Sequence, residues 1–158
     1  GMMQGATISD CGQYRYALTR YWGDGPMAGF IMLNPSTADA MIDDPTIRRC
    51  IGFAKREGCG SLVVVNLYAL RATDPSALRG HPYPIGPEWR EHFDEAIAHV
   101  DGPLIAAWGA DPSVAAQRFT VQQVLRKAGR SAVCLGKNKD GSPKHPLYVK
   151  GDVPLVTL

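Results

Sequence analysis

The feature that most constrains the fold is a run of mostly β-branched residues without polar alternation, Ser61-Leu62-Val63-Val64-Val65. A strand that faces solvent on one side alternates apolar and polar residues, whereas a strand covered on both faces is apolar throughout. Similar apolar runs occur at residues 27–33, 104–108 and 131–135. These four segments predict strands in the interior of a mainly parallel sheet.

Helical patterns lie between these strands. Residues 45–57 carry apolar side chains at helical spacing. Asp44 suits the N-cap of this helix, and Pro45 suits its first position. Residues 87–100 and 112–128 show similar patterns. Strands that alternate with helices form parallel sheets with helices on both faces. We therefore expect an α/β fold in three layers, α/β/α, with a mainly parallel central sheet of about four strands.

The N-terminal part of the sequence predicts an antiparallel hairpin. Residues 14–22 are aromatic-rich and roughly alternating, and Gly23-Asp24-Gly25-Pro26 interrupts them before the strand at residues 27–33. We expect these two strands to pair with each other. The tail segments at residues 147–149 and 153–158 are expected to add short pairing at an edge of the sheet.

The composition is typical of one domain with an ordinary core. The chain has 158 residues, 45% hydrophobic and 20% charged, so residues 1–158 are expected to form a single domain. No apolar run reaches the roughly 18 residues needed to cross a bilayer, and the first residues are not expected to act as an export signal. The four cysteines are scattered, which favours reduced thiols and a cytoplasmic protein. A net charge of +2 neither requires nor excludes a polyanionic partner.

Polar or small residues follow each predicted interior strand. Asn34-Pro35-Ser36-Thr37 follows the first strand, Asn66 the second and Gly109 the third, and a loop that reaches Lys144-His145 follows the fourth. Because parallel strands end at one edge of a sheet, these loops are expected to surround a single cleft. Each residue also has a plainer interpretation: Asn34 can bond to its own turn, Asn66 can cap the next segment, and His145 can be an ordinary loop residue.

Motifs of several other site classes do not occur. The sequence lacks G-x-x-x-x-G-K-[ST], G-x-G-x-x-G, H-E-x-x-H and G-x-S-x-G, so phosphate-loop, dinucleotide, zinc-protease and nucleophile-elbow sites have no support. We expect no cofactor and no structural metal. Asp39, Asp43 and Asp44 can either hold Mg²⁺ weakly or serve the start of the helix at residue 45.

Five motifs identify the chain as a member of an uncharacterised bacterial family. In chain order they are F-I-M-L-N-P-S-T-A-D, D-D-P-T-I-R-R-C, V-V-N-L-Y-A-L-R-A-T-D-P, A-A-W-G and G-S-P-K-H-P-L-Y-V. They resemble the domain-of-unknown-function family number sixteen forty-three over essentially the whole chain. Membership implies no activity. The chain departs from the family's pattern after Gly86-Pro87, where Glu88-Trp89-Arg90 stands in place of Asn-Asp.

A more remote resemblance is to the uracil-DNA glycosylase superfamily. Leu33-Asn34-Pro35-Ser36 resembles the Asn-Pro form of its first motif, and Val65-Asn66 falls where its base-reading asparagine lies. Ala107-Trp108-Gly109 is similar to a strand end of that superfamily, and Lys144-His145-Pro146 to its His-Pro motif. Leu147 replaces the serine that normally helps to grip DNA. The resemblance implies a glycosylase-like fold.

The resemblance also implies roles for individual residues. Asn34, with Asp39, would hold the attacking water, and His145 would donate a hydrogen bond to the departing base. Asn66 offers a donor and an acceptor to the edge of a flipped base. Further ligand contacts are expected from the first turn, from the third strand end and from basic residues near phosphates: Pro35, Ser36, Thr37, Trp108, Arg71, Lys137 and Lys144.

Three functions are open at the level of sequence. The first is a nucleic-acid-directed or nucleobase-directed hydrolase of the N-glycosylase type, with DNA, a nucleobase or a nucleotide as its partner. The second is an enzyme or binder of a smaller nucleotide-like ligand, and the third is a non-catalytic interaction domain. The sequence predicts no membrane association and specifies no oligomeric state.

Overall fold

The computed structural model describes residues 3–158. Within these residues the strands are β1 (Met3–Ile8), β2 (Arg15–Tyr21), β3 (Met27–Met32), β4 (Ser61–Asn66), β5 (Leu104–Ala106), β6 (Val133–Cys134) and β7 (Val156–Thr157). The α-helices are α1 (Pro45–Arg56), α2 (Ser76–Gly80), α3 (Trp89–His99) and α4 (Val114–Lys127), and a 3-10 helix covers Pro146–Tyr148. The α/β class expected from the sequence is confirmed.

The strands form one mixed sheet in the order β1-β2-β4-β3-β5-β6-β7. Parallel pairings join β4, β3, β5 and β6, so that Gly29 of β3 lies beside Val63 on one side and Leu104 on the other. Antiparallel pairings add β1 and β2 at one end of the sheet and β7 at the other. The carboxyl ends of β3, β4, β5 and β6 therefore lie along the same edge.

The predicted hairpin between residues 14–22 and 27–33 is wrong. β2 pairs antiparallel with β1 and β4, and Leu18 lies between Ala6 on one side and Val64 on the other. β4 thus inserts between two strands that are neighbours in the sequence. The N-terminal antiparallel pair is completed by β1, a strand that the sequence analysis did not predict.

A close backbone approach explains why the glycine-rich turn after β2 does not form a hairpin. The turn wraps around the start of β4, where the carbonyl of Gly60 accepts from Trp22 and Gly23, and the N–H of Gly60 donates to the carbonyl of Pro26. A Cβ on Gly60 would lie only 2.2 Å from the carbonyl oxygen of Gly23. Glycine is therefore required at this crossing.

The three predicted helices are present, each slightly shorter than predicted. α1 begins as the sequence indicates: the carboxylate of Asp44 accepts the backbone N–H of Ile47 at 2.9 Å, and Pro45 occupies the first turn. The short helix α2 is not among the helices expected from the sequence. Among the described residues, none of the helices combines the length and apolar character needed to span a bilayer.

Side chains of the central strands alternate between two hydrophobic clusters. Along β4, Val63 and Val65 belong to a cluster that contains buried residues of α3 and α4, whereas Leu62 and Val64 belong to a cluster that contains buried residues of α1. Both faces of this strand are buried, which accounts for its continuous apolar sequence.

Two buried arginines of β2 hold the loop that follows β3. Arg20 is fully buried, its Nε pairs with the carboxylate of Asp43 at 2.8 Å, and its Nη2 donates to the carbonyl of Asp39 at 2.6 Å. Arg15 reaches the same loop, where Nη1 donates to the carbonyl of Ala38 at 3.0 Å. A guanidinium carries five donors in a rigid fork, so these two side chains fix the course of the loop.

Replacing Arg20 by methionine is expected to lower the free energy of unfolding by about 3 kcal/mol, because the loop carbonyls and Asp43 lose their partner. Arg90→Met is the matched control. Arg90 pairs with Asp94 on an exposed part of α3, and its loss should change the free energy of unfolding by less than about 0.5 kcal/mol. Urea denaturation measures both variants, and equal effects would contradict the role given to Arg20.

Candidate functional site

A cavity of about 640 Å³ opens where the parallel strands end. Its walls come from the segments that follow β3, β4, β5 and β6 and from the start of β2, as the order of the strands requires. The polar and aromatic side chains that line it are Arg15, Asn34, Ser36, Asp44, Thr46, Asn66, Thr73, Trp108, Asp111, Asn138, Lys144, His145 and Tyr148.

The structure brings together one part of the residue set predicted from the sequence. The predicted residues that line the cavity are Asn34, Ser36, Asn66, Trp108, Lys144 and His145. Those that lie outside its lining are Pro35, Thr37, Asp39, Arg71 and Lys137.

The three acidic residues after β3 serve the loop and the helix. Asp39 accepts the backbone N–H groups of Met41 and Ile42, each at 2.8 Å, and these bonds lower the pKa of its carboxyl. Asp43 pairs with Arg20, and Asp44 caps α1. Across residues 3–158 there is no group of three or more His, Cys, Asp and Glu side chains arranged to hold a metal ion.

Asn66 is a buried amide without partners. It is 2% exposed, and neither Nδ2 nor Oδ1 has a hydrogen-bond partner in the part of the chain that the structure describes. Its backbone is held firmly, because Trp89 Nε1 donates to the carbonyl of Asn66 at 2.8 Å and Gln117 Nε2 donates to the carbonyl of Leu67 at 2.8 Å. A buried polar group left unpaired costs about 1–3 kcal/mol. Asn66 is therefore a fixed donor and acceptor in the wall of the cavity.

Two further buried donors of the cavity lack partners. They are Nε1 of Trp108, a residue 4% exposed, and Nε of Arg15, a residue 2% exposed. Together with Asn66, these residues account for every buried side-chain nitrogen or oxygen that is unpaired within the described residues, and all three line the cavity. Native proteins pair nearly all of their buried polar groups. The concentration of unpaired groups in one cavity therefore indicates a site for a polar ligand.

Asn34 joins two walls of the cavity. Its Nδ2 donates to the carbonyl of Pro35 at 3.0 Å and to that of Ala72 at 2.9 Å, which ties the loop after β3 to the loop after β4. The plainer interpretation, in which Asn34 bonds to its own turn, thus describes part of its role. With Nδ2 committed to these carbonyls, Oδ1 is the acceptor that the side chain can offer to the cavity.

His145 is held as a neutral donor. Its Nδ1 accepts the backbone N–H of Leu147 at 3.1 Å. A ring nitrogen that accepts carries no proton, so the proton of the neutral ring lies on Nε2. Burial lowers the pKa of His145, which favours the neutral form, while the charge of Asp44 opposes this shift. The ring therefore presents an N–H group at neutral pH.

Sequence reasoning missed three charged residues of the cavity, Arg15, Asp44 and Asp111. Asp44 was expected either to hold Mg²⁺ weakly or to serve the start of the helix, and it both caps α1 and lines the cavity. Arg15 reaches the cavity because β2 lies beside β4, a pairing that the sequence did not predict. The available signal was the presence of Arg15 and Arg20 in a strand rich in apolar residues. Burial lowers the pKa of Arg15 to about 10, so the guanidinium is charged at neutral pH.

Replacing Asn66 by leucine is expected to leave the free energy of unfolding unchanged or to raise it by about 1 kcal/mol, because an unpaired buried amide gives way to an apolar side chain of similar size. Gln117→Leu is the matched control. Gln117 is also buried, but its amide donates to Leu67, so its loss should lower the free energy of unfolding by about 1–2 kcal/mol. Urea denaturation compares the two, and equal losses would contradict the unpaired state of Asn66.

The fold and the cavity define a mixed α/β protein with a cavity at the carboxyl ends of its parallel strands, and several polar side chains line this cavity. The chain belongs to the family described as protein of unknown function (DUF1643), whose model matches residues 15–147. The matched region contains the cavity residues from Arg15 to Leu147. No curated protein and no solved structure matches the chain.

Proposed function

We propose that the cavity binds a nucleobase and that the protein is a hydrolase of the N-glycosylase type. The unpaired amide of Asn66 carries the proposal. An amide presents a donor and an acceptor side by side, and this pattern complements the adjacent C=O and N–H groups on the edge of a pyrimidine such as uracil. The cavity volume of about 640 Å³ falls within the range of small-molecule sites.

The order of residues around the cavity supports a relationship to the uracil-DNA glycosylase superfamily. The turn that begins at Asn34, the strand end at Asn66, the strand end at Trp108 and the loop residue His145 all line one cavity, in the chain order that the resemblance implies. We propose on the same basis that the helices and the sheet are arranged in that superfamily's three layers.

The proposed reaction is hydrolysis of the bond between a base and its sugar. Water adds to the anomeric carbon while the carbon–nitrogen bond breaks, and the electron pair of that bond leaves with the base. Oδ1 of Asn34 would accept a hydrogen bond from the water, and Nε2–H of His145 would stabilise the departing base anion. Asp44, which lines the same cavity, would accept the proton that the water loses and release it to solvent, and the departing base anion would take up one proton from solvent. The products are the neutral base and a sugar with an anomeric hydroxyl.

Incubation with uracil-containing nucleosides, nucleoside monophosphates and single-stranded oligonucleotides is expected to release free uracil, which chromatography detects. His145→Ala should slow the release by about 100-fold or more, because the departing base anion loses its donor. Asn34→Ala should slow it to a similar degree, because the water loses its acceptor. His99→Ala is the matched control, since His99 lies on α3 outside the cavity lining, and it should keep the wild-type rate.

Two results would contradict this function. One is the absence of free base from every substrate in the panel, extended to the other common bases. The other is a release of base that His145→Ala and Asn34→Ala leave unchanged, since the activity would then belong to a different site or to a contaminant.

A further inference from the structure

Arg15 is a buried cation that the proposed reaction does not use. The residue is 2% exposed and lines the cavity, and its Nε has no partner among residues 3–158. Its Nη1 is occupied by the carbonyl of Ala38 at 3.0 Å. Arg15 forms no salt bridge with a carboxylate of the described chain, whereas its strand neighbour Arg20 pairs with Asp43.

A buried guanidinium without an anion is unfavourable. Removing a charge from water is unfavourable, and a close counterion normally compensates for this cost. Asp44 lies near enough to raise the pKa of Arg15, but its carboxylate caps α1 and makes no ion pair with the guanidinium. The cavity wall therefore holds a buried positive charge without an ion-pair partner among the described residues.

The position of Arg15 relates this charge to the proposed base site. The backbone N–H of Arg15 donates to the carbonyl of Ala69 at 2.9 Å, which places the start of β2 beside the segment that follows Asn66. Arg15 and Asn66 thus lie on adjacent strands and line the same cavity. A ligand that contacts both would carry a base at one end and an anionic group at the other.

We infer that Arg15 binds a terminal phosphate and that the substrate is a free pyrimidine nucleoside monophosphate. The fork of a guanidinium matches two oxygens of a phosphate, and such charge-assisted hydrogen bonds are strong. This inference rests on the proposed function, because it assigns the base to Asn66. Lys144, which is partly buried in the cavity wall, supplies a second cation for the same group.

Burial favours a free nucleotide over a polymer. Proteins that bind nucleic acid neutralise its backbone phosphates with lysines and arginines on the surface. Arg15 is buried, and two of the basic residues expected to meet a backbone, Arg71 and Lys137, lie outside the cavity lining. A small ligand can enter the cavity completely, whereas the phosphates of a polymer stay at its opening.

Isothermal titration calorimetry with four probes tests the inference. The probes are deoxyuridine, deoxyuridine 5′-monophosphate, inorganic phosphate and a uracil-containing single-stranded oligonucleotide. The monophosphate is expected to bind about 10-fold or more tightly than the nucleoside, and also more tightly than the oligonucleotide. Arg15→Gln should abolish the preference for the monophosphate over the nucleoside, measured as the ratio of the two affinities, while Arg15→Lys should retain part of the preference. Lys137→Gln is the control outside the cavity lining and should behave as wild type.

The outcomes separate this inference from the proposed function. Circular dichroism and the unfolding midpoint without ligand show whether each variant folds. If Arg15→Gln does not fold, Arg15→Lys, which keeps the charge, replaces it in the test. Equal affinity for nucleoside and monophosphate overturns the inference and leaves base binding intact. No binding of any phosphate-bearing probe, tighter binding of the oligonucleotide, or a preference that survives in Arg15→Gln also overturns it. Arg15-dependent binding of phosphate without affinity for the nucleoside supports the anion site and contradicts base recognition.

Discussion

The candidate site depends on the hydrogen bonds and the ion pair by which side chains of β2 hold the loop that follows β3. Because β2 pairs with β4, two guanidinium groups extend from it to the carbonyls of Ala38 and Asp39. Arg20 is paired with Asp43 and stabilises the loop. Arg15 holds the same loop with one nitrogen and leaves Nε unpaired in the cavity wall. One strand thus supplies both the support of the site and its buried charge.

The polar side chains behind the cavity have hydrogen-bond partners, whereas several of those in its wall have none. Behind the wall, Trp89 and Gln117 donate to the carbonyls at the end of β4, and Tyr68 donates to the carbonyl of Ser113 at 2.8 Å. In the wall, the side chains of Asn66 and Trp108 are buried and unpaired. The hydrogen-bonded groups thus hold the groups without hydrogen-bond partners in fixed positions. This arrangement is expected of a preorganised binding site.

The sequence predicted the strand ends better than the strand partners. The convergence of Asn34, Asn66 and His145 follows from parallel topology, which the alternation of strands and helices indicates. The residue pattern of a strand does not show which other strand it pairs with. The turn after β2 suggested a hairpin because strands that are consecutive in the sequence often pair. The contact of that turn with Gly60 joins residues that are distant in the sequence, so the residues of the turn alone do not indicate it. The role of Arg15 depends on that contact, so it could not be predicted.

If the unpaired groups of the cavity receive a polar ligand, the N–H signals of the three tryptophan indoles should report its binding. The N–H of Trp22 bonds to the carbonyl of Cys59 at 3.0 Å and that of Trp89 to the carbonyl of Asn66, whereas that of Trp108 is unpaired. Proton–nitrogen NMR spectra, assigned with Trp108→Phe, would be recorded during titration with deoxyuridine 5′-monophosphate. The Trp108 signal is expected to move most, and the Trp22 signal is expected to stay in place. A Trp108 signal that stays in place at saturating nucleotide would contradict the binding of a polar ligand by the unpaired groups.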